Sequence, residues 1–476
     1  MTMAKVLPWC CALALVLGGC SLAPPLKVPD VPAGDSYKEL APWTQAQPAD
    51  RLPRDSWWML YETPEIDDLQ KRLIAGNPTL AAALANYAQA KALADQARAG
   101  LFPTLGLNAG VSRARESVNT PLIGPTTPRY YDNNVLGGSV SYELDLWGQI
   151  RNQVAAGEAN AQASAADLEN ARLSLLAQLV DDYVQLRSLD RENAILDDTV
   201  KAYDHALTLT EQRHGAGIAA GLDVAQAQTQ LDAARAQAAQ VLAQRALMEH
   251  AIAALLGVSA STFSIAPALV DIKLPQVPAG VPSTLLERRP DIAAAQRRMI
   301  AANANIGVAR AAYFPSLTLG AQGGFQSTGF SNWISAPSTF WAIGPNALLS
   351  VFDGGLRRAQ VAQARAEFDE SAADYRGVAV AAFQQVEDSL ASLNHYYDAA
   401  KEEKAAVDAA QRTLDLSMAL YKQGAADYLT VVTSQTALLQ AQLQDLNLDT
   451  LQLRASVDLV RALGGGWEDT HRLAAR

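Results

Sequence analysis

Residues Gly148 to Arg213 run for about 66 positions without a proline and are rich in Ala, Leu, Gln and charged side chains. At about 1.5 Å of rise per residue, one helix of that length reaches about 100 Å, a rod that no compact globular domain needs. Apolar residues recur in it at sevenfold spacing: Val154, Ala161, Leu168, Leu175, Leu189, Leu196 and Tyr203, with only Asp182 out of step. Leu179, Leu186, Val200 and Leu207 sit four residues after members of that row. Together the two rows make the narrow seam of a coiled coil. A second such stretch runs from Gly355 to Gln423, with Ala379, Val386, Leu393, Ala400, Val407, Leu414 and Tyr421 in its sevenfold row.

The duplication extends beyond the rods. Phe102-Pro103-Thr104-Leu105 returns as Phe314-Pro315-Ser316-Leu317 and Asn77-Pro78 as Arg289-Pro290, both displaced by 212 positions. Gly148 matches Gly355, Gly217 matches Gly424, Leu222 matches Leu429 and Leu256-Gly257 matches Leu463-Gly464, all displaced by 207. The five-residue difference therefore lies between Phe-Pro and the rod. Each half predicts a moderate helix, two strand-like pieces around a loop, a long rod, a tight turn and a returning helix about half as long. Thr63-Pro64-Glu65 suits a helix start, as do Ser283 and Asp291 in the second half. Gly215 or Gly217, and Gly424, suit the rod ends, and Asp223 with Gln226 has the spacing of a capping pair for the return helix. The expected boundaries are 63–257 for the first repeat, 258–282 for a linker, 283–464 for the second repeat and 465–476 for a tail.

Residues 1–19 have a lone Lys5, an apolar run from Cys11 to Leu17 and small residues before Cys20, the pattern of a secretory signal too short to span a bilayer. Leu17-Gly18-Gly19-Cys20 resembles a bacterial lipobox, which implies cleavage before Cys20 and its acylation. Ser21 resembles an outer-membrane sorting residue. The alternative is an ordinary signal that leaves a free cysteine. Residues 20–62 then form a lipidated, Pro-rich extended segment rather than a domain. With Cys10 and Cys11 removed, no disulfide is expected. The formal charge is −11 and becomes −12 when Lys5 leaves with the signal, which makes nucleic acid a poor partner.

Between Phe102 and Trp147 the period changes to two. Leu105, Leu107, Ala109 and Val111 alternate with Gly106, Asn108, Gly110 and Ser112; Leu136, Val140, Tyr142, Leu144 and Leu146 alternate with Ser139, Ser141, Glu143 and Asp145. The second half repeats this with Leu317, Leu319, Ala321 and Phe325, then Trp341, Ile343, Ala347, Leu349 and Val351. The two hairpins are expected at about 102–147 and 314–353, with outer loops from Arg113 to Asn134 and from Ser327 to Thr339. Such alternation fits a soluble sheet with one buried face or membrane-barrel strands with an apolar face toward lipid. Four strands cannot close a barrel in lipid, where each unpaired backbone group costs several kcal/mol. Strands that span a membrane must then be shared between chains, and three chains supply twelve. Glu143 and Asp145, on the polar strand face, are the candidates for a barrel lumen.

The chain resembles the outer-membrane efflux proteins of the TolC type, in the lipoprotein branch that serves resistance-nodulation-division pumps. The resemblance rests on Trp57-Trp58 with Ile66, Leu69 and Asn77-Pro78, on Glu143-Leu144-Asp145-Leu146-Trp147-Gly148, and on Val277-Pro278-Ala279-Gly280-Val281-Pro282-Ser283 through Leu285-Leu286-Glu287-Arg288-Arg289-Pro290-Asp291-Ile292. It covers essentially the whole mature chain. It implies a mainly α fold with a small membrane β part: an internally duplicated protomer whose homotrimer joins a 12-stranded barrel to an α-helical barrel. Implied partners are outer-membrane lipid, a periplasmic adaptor protein and an inner-membrane pump. Adaptor docking falls on the tips Arg213 to Asp223 and Tyr421 to Thr430, which include Gly217, Leu222 and Gly424. Leu429 stands where this branch has an apolar constriction. Thr433 stands where relatives often have Asp, and Asp427 is a nearby substitute.

Neither a metal-type pairing of histidines, nor a phosphate-cradling glycine loop, nor a nucleophile elbow occurs, so neither a cofactor nor an enzyme activity is expected. Asp181-Asp182, which interrupts the seam, fits a solvated helix face or a lumen. The reading is a passive efflux duct for small molecules; the alternatives are a type I protein-secretion duct and a structural periplasmic coiled-coil lipoprotein.

Overall fold

The computed structural model describes residues 21–31, 34, 36–39, 56–117, 119, 129–275 and 288–465. The signal segment, Cys20, the block 277–287 with Ser283, and the tail beyond Gly465 lie outside the described residues. In chain order the elements are α1 (Pro64–Gly76), α2 (Pro78–Ala99), β1 (Thr104–Arg115), β2 (Tyr130–Glu143), α3 (Gln149–Gly215), α4 (Gly221–Leu255), α5 (Pro290–Ala311), β3 (Ser316–Ser327), β4 (Thr339–Leu348), α6 (Leu356–Lys422) and α7 (Tyr428–Ala462). Short 3-10 turns occur at Trp57–Tyr61, Ala260–Thr262 and Ala336–Ser338. The rods α3 and α6 have 67 residues each and the return helices α4 and α7 have 35 each. Among the described residues no helix is long and apolar enough to cross a membrane. The chain divides into two compact units, one of Met1–Pro29, Tyr87–Ser164 and Ala295–Tyr375, the other of Asp30–Asn86, Ala165–Ala294 and Arg376–Arg476.

The first unit contains one four-stranded antiparallel sheet in the order β1-β2-β3-β4. The pairings Leu105↔Val140, Val140↔Ala321 and Ala321↔Ile343 put the apolar residues of all four strands on one face, as the alternation requires. That face is bare in the single chain: Leu107 is 92 % exposed and Trp341 78 %. The strands run further outward than the sequence suggested. Arg113–Arg115 and Tyr130–Asn134 belong to β1 and β2 rather than to the first outer loop. At the inner end the two short motifs meet, with the Trp147 ring stacked on Phe314 at 4.5 Å and its indole N–H donating to the Pro315 carbonyl at 2.9 Å. Residues 21–30 run without helix or strand. The Leu22 carbonyl accepts from Arg310 (3.1 Å) and the Pro24 carbonyl from Asn303 (2.9 Å). Beside them, a Cβ on Gly307 would lie 2.8 Å from the Ala23 nitrogen.

The second unit holds the main core, where Trp57, Trp58, Tyr61, Ile66, Leu69 and Leu73 pack on the middle of α3 and α6 and the ends of α4 and α7. The moderate helix of the first repeat proves to be two, broken where Pro78 turns Asn77 out of the α region (ψ 121). The Asn77 carboxamide accepts from the Leu80 N–H at 2.8 Å and donates to the Leu255 carbonyl at 2.7 Å. Arg289 repeats this joint, donating to the Ala462 carbonyl at 3.0 Å. The Thr63 hydroxyl does not cap α1; it donates to the Tyr61 carbonyl. A buried ionic cluster fastens the segment after α4. Asp190 accepts from Arg187 (2.7 Å) and Arg245 (2.6 Å), whose guanidinium groups also donate to the Ala266 and Ile265 carbonyls. Asp181 pairs with Arg454 at 2.7 Å and stays half-buried, whereas Asp182 is buried with a hydrogen bond from Gln178 and so does not belong to a solvated face.

Candidate functional site

Two tight turns of the helical unit, 216–220 and 423–427, close in the same way. The Gly217 N–H bonds to the His214 carbonyl and the Ile218 N–H to that of Arg213, both at 2.8 Å. In the second turn Gly424 bonds to Tyr421 at 3.0 Å and Ala425 to Leu420 at 2.9 Å. This pair of bonds needs a left-handed residue after the helix, and Gly217 and Gly424 supply it at φ +74 and +76. The following helices start differently. Asp223 is the third helical residue rather than the cap, and it accepts from the Ala220 N–H at 3.2 Å. Asp427 caps α7 outright, accepting from the Thr430 hydroxyl at 2.6 Å and its N–H at 3.0 Å. Those bonds, the hydroxyl's first, hold the Asp427 carboxyl below its ordinary pKa.

Beneath the turns, Tyr203, Leu207, Leu231, Tyr421, Tyr428 and Val431 form a small core. Tyr421 meets Tyr428 edge to face at 5.3 Å, and the Arg213 guanidinium lies 4.7 Å from the Tyr421 ring centroid. Arg213 also donates to the Lys422 carbonyl at 3.2 Å. Arg213 and Tyr421 therefore join the two turns, and Tyr421, 3 % exposed, belongs to the core of the tip rather than to its surface. Burial pushes the Tyr428 and Tyr203 phenols up to about 12 from their ordinary 10. Sequence reasoning missed the Arg-Tyr-Tyr clamp; Arg213 and Tyr421 flanking equivalent turns were the available signal.

Leu222, Asp427, Leu429 and Thr433 are exposed, as are Gly217 and Gly424. Leu429 and Thr433 lie one turn apart on one helix face, and the Thr433 hydroxyl donates to the Leu429 carbonyl at 2.9 Å. That bond turns the polar atom of Thr433 back onto its own helix, so this face presents a methyl group and a leucine side chain. In the sheet unit, Glu143 ends β2 opposite Thr318 and is exposed. Asp145 is not on the strand face. Its carboxylate accepts from the Ile150 and Arg151 N–H groups at 3.0 and 2.9 Å and from the Arg151 side chain at 3.0 Å, which makes it the cap of the first rod. Among the described residues no cluster of His, Cys, Asp and Glu could hold a metal ion.

The sequence profile of the outer membrane efflux proteins matches the chain twice, over residues 69–258 and 281–465. The chain belongs to this family. The pyoverdine export outer membrane protein OpmQ of Pseudomonas aeruginosa is 33 % identical over 469 residues, 97 % of each chain. The probable efflux pump outer membrane protein TtgC of Pseudomonas putida is 31 % identical over 457 residues, 95 % of this chain and 94 % of that one. The solved outer-membrane channel OprN has a TM-score of 0.86 at 29 % identity, covering 94 % of this chain and 100 % of its own. A TM-score of 0.86 over nearly the whole of both chains shows that this channel and the present chain share one fold.

Proposed function

We propose that this protein is the passive outer-membrane duct of a tripartite efflux system, a lipid-anchored homotrimer that carries small molecules from an inner-membrane pump and a periplasmic adaptor to the exterior. The observation that carries the reading is the sheet: four strands with one apolar face bare and the edges β1 and β4 open. In lipid such a sheet is stable only when its edges are paired, and twelve strands from three chains make an even-numbered closed barrel. Cys20 bears the lipid in this reading, with the segment after it held by Arg310 and Asn303. The repeats 63–257 and 283–464 each contribute one hairpin and one coiled-coil arm, and residues 258–282 link them.

The turns are the adaptor-facing end. Leu429 forms the constriction, and with Thr433 in place of an acidic residue the ring is apolar, with Asp427 at its border. Glu143 faces the barrel lumen, and no step of chemistry occurs in the duct. The test combines native mass spectrometry of detergent-extracted protein with single-channel recording in a planar bilayer. A lipidated trimer with small, infrequent conductance is expected. Leu429→Asn should raise the mean conductance several-fold, and an unchanged conductance places the constriction elsewhere.

A further inference from the structure

The apolar face of the sheet carries charge at one end only. Alternate positions of β1 read Leu105, Leu107, Ala109, Val111, Arg113 and Arg115, so an apolar run finishes in two arginines on the same face. Asp132 and Tyr130 of β2 stand opposite them. The remaining charged residue of the four strands, Glu143, is opposite Thr318 on the other face. A hairpin of this kind does not need the pair, since at the displacement of 212 Arg113 and Arg115 correspond to Phe325 and Ser327.

The height of the pair is set by the strand. β2 leads into the start of α3, so the arginines lie at the end of the sheet remote from the rod. Ten steps of about 3.4 Å from Leu105 to Arg115, tilted by about 40°, climb about 26 Å, against an apolar band about 25 Å tall in membrane barrels. Arg113 starts about 5 Å lower, and its flexible stem lets the guanidinium reach up to the same level. A charge on the lipid-facing side is tolerated at that limit and not at mid-depth. In the duct proposed above this end faces the exterior, where the hydrocarbon of the outer leaflet gives way to the phosphates of its glycolipid.

Both guanidinium groups can take an anion. The Arg113 side chain is 76 % exposed, and its 3.9 Å approach to Asp132 is too long for a hydrogen bond. The Arg115 guanidinium lies 5.5 Å from the centroid of the Tyr130 ring, which steadies it while leaving its N–H edge open. The loops beyond bring no competing carboxylate, because residues 117–128 and 328–338 contain no charged side chain. Two guanidinium groups about 7 Å apart on one strand face can clasp a phosphate between them by paired N–H donors.

We infer that Arg113 and Arg115 bind the phosphate groups of an outer-leaflet glycolipid, with Asp132 as the carboxylate that competes for Arg113. The inference rests on the barrel reading, which sets this sheet in lipid. An amphiphile is favoured over free phosphate because the site is continuous with the apolar face. Acyl chains below a phosphate held there run down over Val111, Ala109 and Leu107.

The experiment offers diphosphoryl lipid A to the full-length mature protein in detergent and counts retained lipid per trimer by native mass spectrometry, with phosphatidylglycerol and inorganic phosphate as competitors. Retention is expected to fall at least tenfold in Arg113→Gln/Arg115→Gln, with trimer mass and single-channel conductance unchanged. Arg113→Lys/Arg115→Lys, which keeps the charge and loses the fork, should fall about threefold, and Asp132→Asn should rise by a similar factor. Undiminished retention in the double Gln variant overturns the site. Equal displacement by phosphatidylglycerol or inorganic phosphate overturns the glycolipid as its ligand. Should the double Gln variant lose its trimer, Asp132→Asn decides, and unchanged retention there overturns the inference. An unsubstituted trimer that retains no lipid A refutes the site and leaves the duct standing, whereas absence of that trimer sinks the barrel reading itself.

Discussion

The rods α3 and α6 are equal in length and lie in equivalent places in the two repeats, yet the large apolar side chains of α3 are covered and those of α6 only in part. In α3, Leu176, Leu179, Val180, Tyr183, Leu186, Leu189 and Leu196 are all buried within the protomer. In α6, Val386, Leu390 and Leu393 are buried, but Val380, Tyr397, Leu416 and Leu420 stand exposed. The ionic cluster makes the same division: Arg187, Asp190 and Arg245 correspond to Asn394, Tyr397 and Gln452 in the second repeat. One copy of the repeat is completed by its own chain, and under the proposed assembly the other is completed by a neighbour. Duplication has given two arms of one design whose stability comes from different sources.

The comparison is broken most severely at Asp190. Asp190→Ala removes the buried carboxylate that bridges two guanidinium groups, leaving Arg187 with Glu65 and Arg245 with Glu249, and a loss of about 3 kcal/mol is expected in urea unfolding. Tyr397→Ala, at the equivalent position on α6, should change protomer stability by no more than about 0.5 kcal/mol while lowering the temperature at which the oligomer dissociates. Equal losses at the two sites would remove the distinction between a self-completed and a neighbour-completed rod.

The helix ends sharpen it further. Gly257 and Gly424 both have positive φ (+71 and +76), but a Cβ on Gly257 would lie 2.2 Å from the Gly76 carbonyl oxygen, whereas one on Gly424 meets nothing nearer than Arg213 at 3.9 Å. Gly257→Ala should therefore cost at least about 2 kcal/mol in thermal unfolding and Gly424→Ala about 1 kcal/mol.

The smallest effect concerns pH. Burial pushes Asp182 up to about 6 from its ordinary 3.8, partly offset by Gln178. The folded state thus holds this proton more tightly than the unfolded state, and the stability it contributes falls as pH rises from 3.8 through 6. Asp182→Asn should gain on the order of 1–2 kcal/mol at pH 7.5, shrinking below pH 6 and absent near pH 4. Asn at this position removes one buried charge from α3; a gain independent of pH would reject that cause.

The rods, the turns and the alternating strands were legible because each is written in a local period or in a glycine that only one backbone conformation explains. The joint at Asn77 was legible as a repeated motif but not as a break, since its function depends on the Leu255 carbonyl 178 positions away. Asp145 continued the strand alternation on paper, and only the arriving N–H groups of Ile150 and Arg151 show that the helix claims it. The Asp190 cluster left no pattern at all, because Arg245 is 55 positions distant and each residue alone reads as an ordinary helix surface charge.

The matched lengths of the helices set a rule for how such a chain can change. A single inserted residue in α3 would advance everything beyond it by about 1.5 Å and rotate it by about 100°, carrying the Arg213 guanidinium away from Tyr421. A viable insertion must therefore come in both arms at once, and in whole turns of the heptad, so that the two rods lengthen together like paired rulers cut from one template.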